Sequence, residues 1–100
     1  MFDFTVIVGF DWDAGNARKS VDKHSVSQVE AEQVLGSERI AISDDIGHSA
    51  TEPRYQALGQ TLTGRRLHIA FTLRSNGTLI RVISARDMNR KERARYDGQT

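Results

Sequence analysis

Asn76-Gly77 stands between two apolar runs, RRLHIAFTL and TLIRVISA, and constrains this chain more than any other feature. An Asn-Gly pair accepts the left-handed backbone that a tight hairpin turn requires, and both flanking runs alternate at a strand's period of two. The pairing therefore follows from the turn. If Asn76 and Gly77 are a two-residue loop, Ser75 meets Thr78, Leu73 meets Ile80, Phe71 meets Val82 and Ile69 meets Ser84 on the core side. On the other side Thr72 meets Arg81, Ala70 meets Ile83 and His68 meets Ala85. Arg66, His68, Thr72 and Arg81 then share the face turned away from the core.

The remaining segments fit around that hairpin. FDWD reads as a short strand that ends at Asp13, the cap of a helix from about Ala14 to Lys23. Gly15 and Asn16 weaken that helix. SVSQVEAEQVLG carries a second helix, with Ser27 and Glu30 as a capping box, Val26 stapled onto Ala31 and Gly36 at the stop. RIAIS, with Ile40 and Ile42 on one side, and RYQALGQTL read as strands, separated by a loop that ends at Pro53. Asn89 and Glu92 form a second capping box for a short last helix. The order gives an α+β fold over residues 1–100 as one domain: a small, largely antiparallel β-sheet with two helices on one face and a short C-terminal helix.

Composition narrows the chemistry. The 100 residues contain no cysteine, which excludes disulfides, thiolate catalysis and cysteine-held zinc, and suits a cytoplasmic setting. The apolar start, MFDFTVIVGF, is short, carries Asp3 and lacks a basic leader, so neither a signal peptide nor a membrane span is expected. Net charge is only +1, yet it is unevenly spread. Residues 1–53 hold ten acids against four Lys or Arg, and residues 54–100 hold three against ten. The halves either neutralise each other across the fold or leave a cationic face for phosphate or an acidic partner.

FDWD, DKHSVSQVEAEQVL, His48 with Glu52 and Arg54, RRLHIAFTLR, IRVISAR and ERARY occur in an order that resembles the BrnT family. These are the toxins of BrnT/BrnA type II toxin-antitoxin systems, and the resemblance covers roughly residues 10 to 96. It implies a RelE-like fold and a ribonuclease that halts translation. It also implies a hetero-oligomer with a BrnA-like ribbon-helix-helix antitoxin, through which alone the chain would meet DNA. The chain departs from the family pattern at Ser25, where Lys-His-Gly is usual, and at Gln28, where an aromatic is usual. The segment before residue 10 lies outside the resemblance.

RNA cleavage without a metal or other cofactor uses the 2′-hydroxyl as nucleophile. It requires a base for that proton, a cation for the phosphorane charge and an acid for the leaving 5′-oxygen. His24, in the Lys-His motif that matches the family, is the first candidate for proton transfer; the alternative is a helix-terminal histidine favoured by the dipole. Lys23, Arg65 and Arg81 complete the expected catalytic set. Arg54, Arg66, His68, Arg86, Arg93 and Tyr96 are the expected RNA contacts. Tyr96 either stacks a base or anchors the last helix, and Trp12 reads as core. His48 reads as a loop hydrogen-bonding residue, and the dispersed histidines do not suggest a metal site. A non-catalytic subunit that serves only as the antitoxin's partner in a repressor complex is the alternative.

Overall fold

The computed structural model describes residues 3–45 and 52–98. After one turn of 3-10 helix at Phe4–Val6, the chain forms β1 (Gly9–Phe10), α1 (Ala14–His24) and α2 (Gln28–Leu35). It continues through β2 (Ala41–Asp44), β3 (Arg54–Gln60), β4 (Arg66–Arg74) and β5 (Leu79–Asp87) to α3 (Arg90–Asp97). The five strands make one open sheet in the order β1-β5-β4-β3-β2. All pairings are antiparallel except the first, where β1 runs parallel to β5. The FDWD strand is corrected accordingly. The strand ends at Phe10, the Asp11 N–H makes a last bond to the Ile80 carbonyl at 2.8 Å, and Trp12 and Asp13 lead on to α1.

Local signals account for the helices. The Asp13 carboxylate accepts from the Asn16 backbone N–H at 3.0 Å, which caps α1. Ser27 and Glu30 form a reciprocal capping box on α2, and Asn89 and Glu92 form one on α3. Asn16, expected only to weaken α1, ties it to the sheet. Its amide donates to the carbonyls of Asp11 (3.1 Å) and Val82 (3.2 Å), and its Oδ1 accepts from the Asp13 N–H at 2.7 Å.

The core lies between α2 and one sheet face, with Val26, Ala31, Val34 and Leu35 against Ala57, Leu67, Ile69, Phe71, Ile80, Val82 and Ala85. Gly59 permits the close approach of α2 to β3. A Cβ there would meet the Val34 side chain at 3.0 Å and the Val34 carbonyl at 3.2 Å. Because side chains alternate along β3, Leu58 faces the opposite way. It packs there with Met88 and Tyr96, so α3 lies across the second face.

The hairpin register holds at first and then shifts. Thr72 pairs with Arg81, Phe71 with Val82 and Leu73 with Ile80, across a turn at Ser75–Thr78 in which Ser75, Asn76 and Gly77 have positive φ. A β-bulge between Ala70 and Phe71 leaves Ile83 unpaired. Ala70 then meets Ser84, Ile69 meets Ala85 and His68 meets Arg86. The expected pairs Ile69–Ser84, Ala70–Ile83 and His68–Ala85 are each displaced by one residue. The shift puts Ala85 in the core and turns Arg86 to the second face, beside His68.

Candidate nucleic-acid interface

The uncovered half of the second face, near the hairpin, carries a cationic concavity. Arg54, Thr72 and Arg81 form one cross-strand row there. A pocket of about 320 Å³ opens beside that row, lined by Lys19, Glu52, Arg54, Arg74 and Arg81, with Gly15, Asn16, Val82 and Ile83 as walls. Arg81 donates to Asp13 at 2.9 Å and lies 3.5 Å from Asp11, which fixes its guanidinium at the rim. The N–H of Asn16 and then Arg81 hold the Asp13 carboxyl below its ordinary range. Arg74 donates to Glu52 at 2.6 Å, orienting that carboxylate at the pocket wall. Below it, Thr72 donates to the Pro53 carbonyl and secures the start of β3.

Three of these residues were not anticipated. Arg74 was legible, since it shares the even-numbered face of β4 with Arg66, His68 and Thr72. Glu52 carried a signal only through the family resemblance. Lys19 carried none, because its place depends on where α1 docks.

Lys23, His24 and Arg65 lie elsewhere. Lys23 and His24 are exposed at the far end of α1, roughly 15 Å from its start by helical rise. Arg65 spreads its whole guanidinium over internal acceptors. It forks onto Asp87 (2.8 and 3.1 Å), reaches Glu30 (3.1 Å), and donates to the carbonyls of Ser25 (2.9 Å) and His24 (3.2 Å). Asp87 above all holds the Arg65 pKa well up, and Arg65 in turn holds Asp87 low, with the charges of His24 and Arg93 acting in the same sense. Asp87 is six residues along β5 from Arg81, about 20 Å at strand rise. The expected catalytic set is thus divided between two ends of the molecule.

The remaining expected RNA contacts divide further. Arg86 forks onto Glu92 at 2.8 and 2.9 Å, and this holds the Glu92 pKa at about 2. His68 is buried beside them, its Nε2 3.3 Å from Gln56 and 4.0 Å from Glu92, and burial followed by Arg86 pushes its pKa down. Both residues fasten α3 to the sheet instead of facing a ligand. Arg66 donates to Asp97 at 2.7 Å. Tyr96 is 1% exposed and its ring lies 5.2 Å beneath Arg39, so it anchors α3 and offers no face for a base. Arg90, Lys91, Arg93 and Arg95 stand exposed on α3. Trp12 packs on the core and donates to Glu32 at 2.8 Å. His48 lies outside the described residues. Among the described residues no group of three or more His, Cys, Asp or Glu gathers to hold a metal, and no helix is long and apolar enough to cross a membrane.

A small open sheet with α2 on its core face, α3 across part of the second face and a basic concavity bordered by α1 defines a compact α+β fold. It is shared with a solved structure, the 1.1 Å crystal structure of the Brucella abortus ribonuclease toxin BrnT. The two agree with a TM-score of 0.61 over 83% of this chain and 99% of that one, at 16% identity. Residues 12–92 match the family described as the ribonuclease toxin BrnT of type II toxin-antitoxin systems, and the chain belongs to that family. No curated protein sequence matches it. Membership in a type II system implies a protein antitoxin as partner.

Proposed function

We propose that this chain is an endoribonuclease toxin that cleaves RNA in the Arg81 pocket without a metal, and so inhibits translation until a BrnA-like antitoxin covers it. The observation that carries this reading is the convergence of Lys19, Arg54, Arg74 and Arg81 with Glu52 on one concavity. Concave sites with converging charged groups are where substrates are desolvated and oriented. Glu52 takes the 2′-hydroxyl proton as that oxygen attacks the adjacent phosphorus. Arg81 and Arg54 carry the charge of the phosphorane oxygens, and Arg81 has donors beyond the one given to Asp13. The bond from phosphorus to the 5′-oxygen breaks, and the leaving oxygen takes a proton from Lys19. The products are a 2′,3′-cyclic phosphate and a 5′-hydroxyl. DNA lacks the nucleophile and is not cut.

Single-turnover cleavage of RNA in the presence of a chelator tests this. Arg81→Ala is expected to lose about 100- to 1,000-fold in rate, the usual consequence of removing a donor aimed at transition-state charge. Growth arrest on induction should vanish with it. Lys91→Ala, on the exposed side of α3, is the control. If His24→Ala abolished cleavage while Arg81→Ala did not, the chemistry would belong to the far end of α1.

One observation favours the non-catalytic alternative. Arg65, Arg66, Arg74, Arg81 and Arg86 all engage internal carboxylates, so the free positive charge is less than the sequence suggests. That alternative requires a chain that binds its antitoxin, reaches DNA only through it, and leaves RNA intact under single-turnover conditions.

A further inference from the structure

Lys19 and Lys23 are four residues apart on α1, so they are neighbours on one helix face, one turn from each other. Lys19 lines the pocket, and Lys23 is the next cation outward along the helix. Beyond it, the His24 carbonyl at the end of α1 and the Asp87 carboxylate meet on the Arg65 guanidinium, and Arg93 stands exposed in α3, which begins three residues after Asp87. Asp87 is already forked by Arg65, so its charge is largely engaged. The result is a row of like charges leading out of the pocket, and their mutual repulsion falls when an anion lies across them.

We propose that this row is a second phosphate-binding station. A single RNA strand seated in the pocket continues along α1, and Lys23 and Arg93 hold phosphates beyond the scissile one. The inference rests on the pocket being the cleavage site. It makes Lys23 and Arg93 strand-binding residues that act on affinity and on substrate length, whereas Arg81 acts on the chemical step. The recognised chemistry is the phosphodiester backbone, so the station reads charge and not base identity.

The test compares cleavage of a dinucleotide and of a long single strand with the same scissile step, in wild type, Lys23→Ala/Arg93→Ala and Arg81→Ala. For wild type, kcat/KM should be higher on the long strand. In the double variant that ratio of long to short should fall roughly tenfold, since two exposed charge contacts are lost. Binding of an uncleavable 2′-O-methyl strand should show a salt dependence shallower by about 1.4 in log-log slope, at about 0.7 per phosphate contact on a single strand. A double variant with unchanged length ratio and salt slope overturns the station. A double variant equally impaired on both substrates also overturns it, because its residues would then act at the pocket. If Arg81→Ala left both substrates unaffected, the pocket reading itself would fall, a result distinct from either.

Discussion

Ser25 shows how one residue carries a strain visible in both sequence and structure. It follows the last residue of α1 with φ of 56°, its N–H donates to the Val21 carbonyl at 3.1 Å and its own carbonyl accepts from Arg65. This is the left-handed helix terminus that glycine adopts freely and that an L side chain occupies at a cost of about 1 kcal/mol or more. The family pattern places glycine there, and the backbone supplies the reason. Ser25→Gly should therefore stabilise the protein by about 1 kcal/mol, less the cost of ordering glycine's extra conformational freedom on folding. For a domain of this size, 1 kcal/mol corresponds to a rise of about 4–8 °C in Tm. A melting temperature equal to or below wild type would mean that the serine conformation is unstrained.

Among the elements, what was legible in the sequence is what local chemistry decides. Both capping boxes, the hairpin turn and the alternation of β4 are set by residues within a few positions of one another, and each appears where the pattern puts it. What was not legible is set by contacts far apart in the chain. The bulge at Ile83 leaves no period-2 signature of its own, because Ser84 and Ala85 are both small enough for either face. It nonetheless decides that Arg86 meets His68 and Glu92. The docking of α1 depends on Asn16 reaching Val82, 66 residues away, and so the position of Lys19 was hidden. Arg65, whose conspicuous charge suggested catalysis, is likewise fixed by partners far away in the chain. It joins β5, α2 and the turn between the helices, and only a planar fork spans those acceptors. Arg65→Lys should therefore destabilise the fold by about 1–3 kcal/mol, the range for lost charge-assisted hydrogen bonds at a partly exposed site. Urea denaturation measures it. A Lys variant as stable as wild type would show that charge alone suffices there.

At the scale of the whole molecule, the excess of acid in residues 1–53 and of base in residues 54–100 is partly consumed by the fold. Arg65–Glu30, Arg74–Glu52 and Arg81–Asp13 each join one half to the other. The consequence is acid sensitivity of a definite sign. Asp13, Glu30, Asp87 and Glu92 all have pKa values below their ordinary range, so the folded state binds fewer protons than the unfolded one. Stability from such groups is complete above the ordinary carboxylate pKa and drains away as pH falls through the folded value. For Glu92 that window runs from 4.5 down to about 2. His68 acts in the same direction at higher pH: its lowered pKa means that protonation below 6.5 favours the unfolded chain. Glu92→Gln isolates the carboxylate contribution, because glutamine retains an acceptor for the Asn89 N–H in the capping box while the charge facing Arg86 is removed. The variant should be less stable than wild type at neutral pH. The gap should close between pH 5 and pH 2, at no more than about 1.4 kcal/mol per pH unit for one group. Urea midpoints across that range decide the matter, for a gap that stays constant with pH would place the loss in packing or capping and not in the Arg86–Glu92 charge pair.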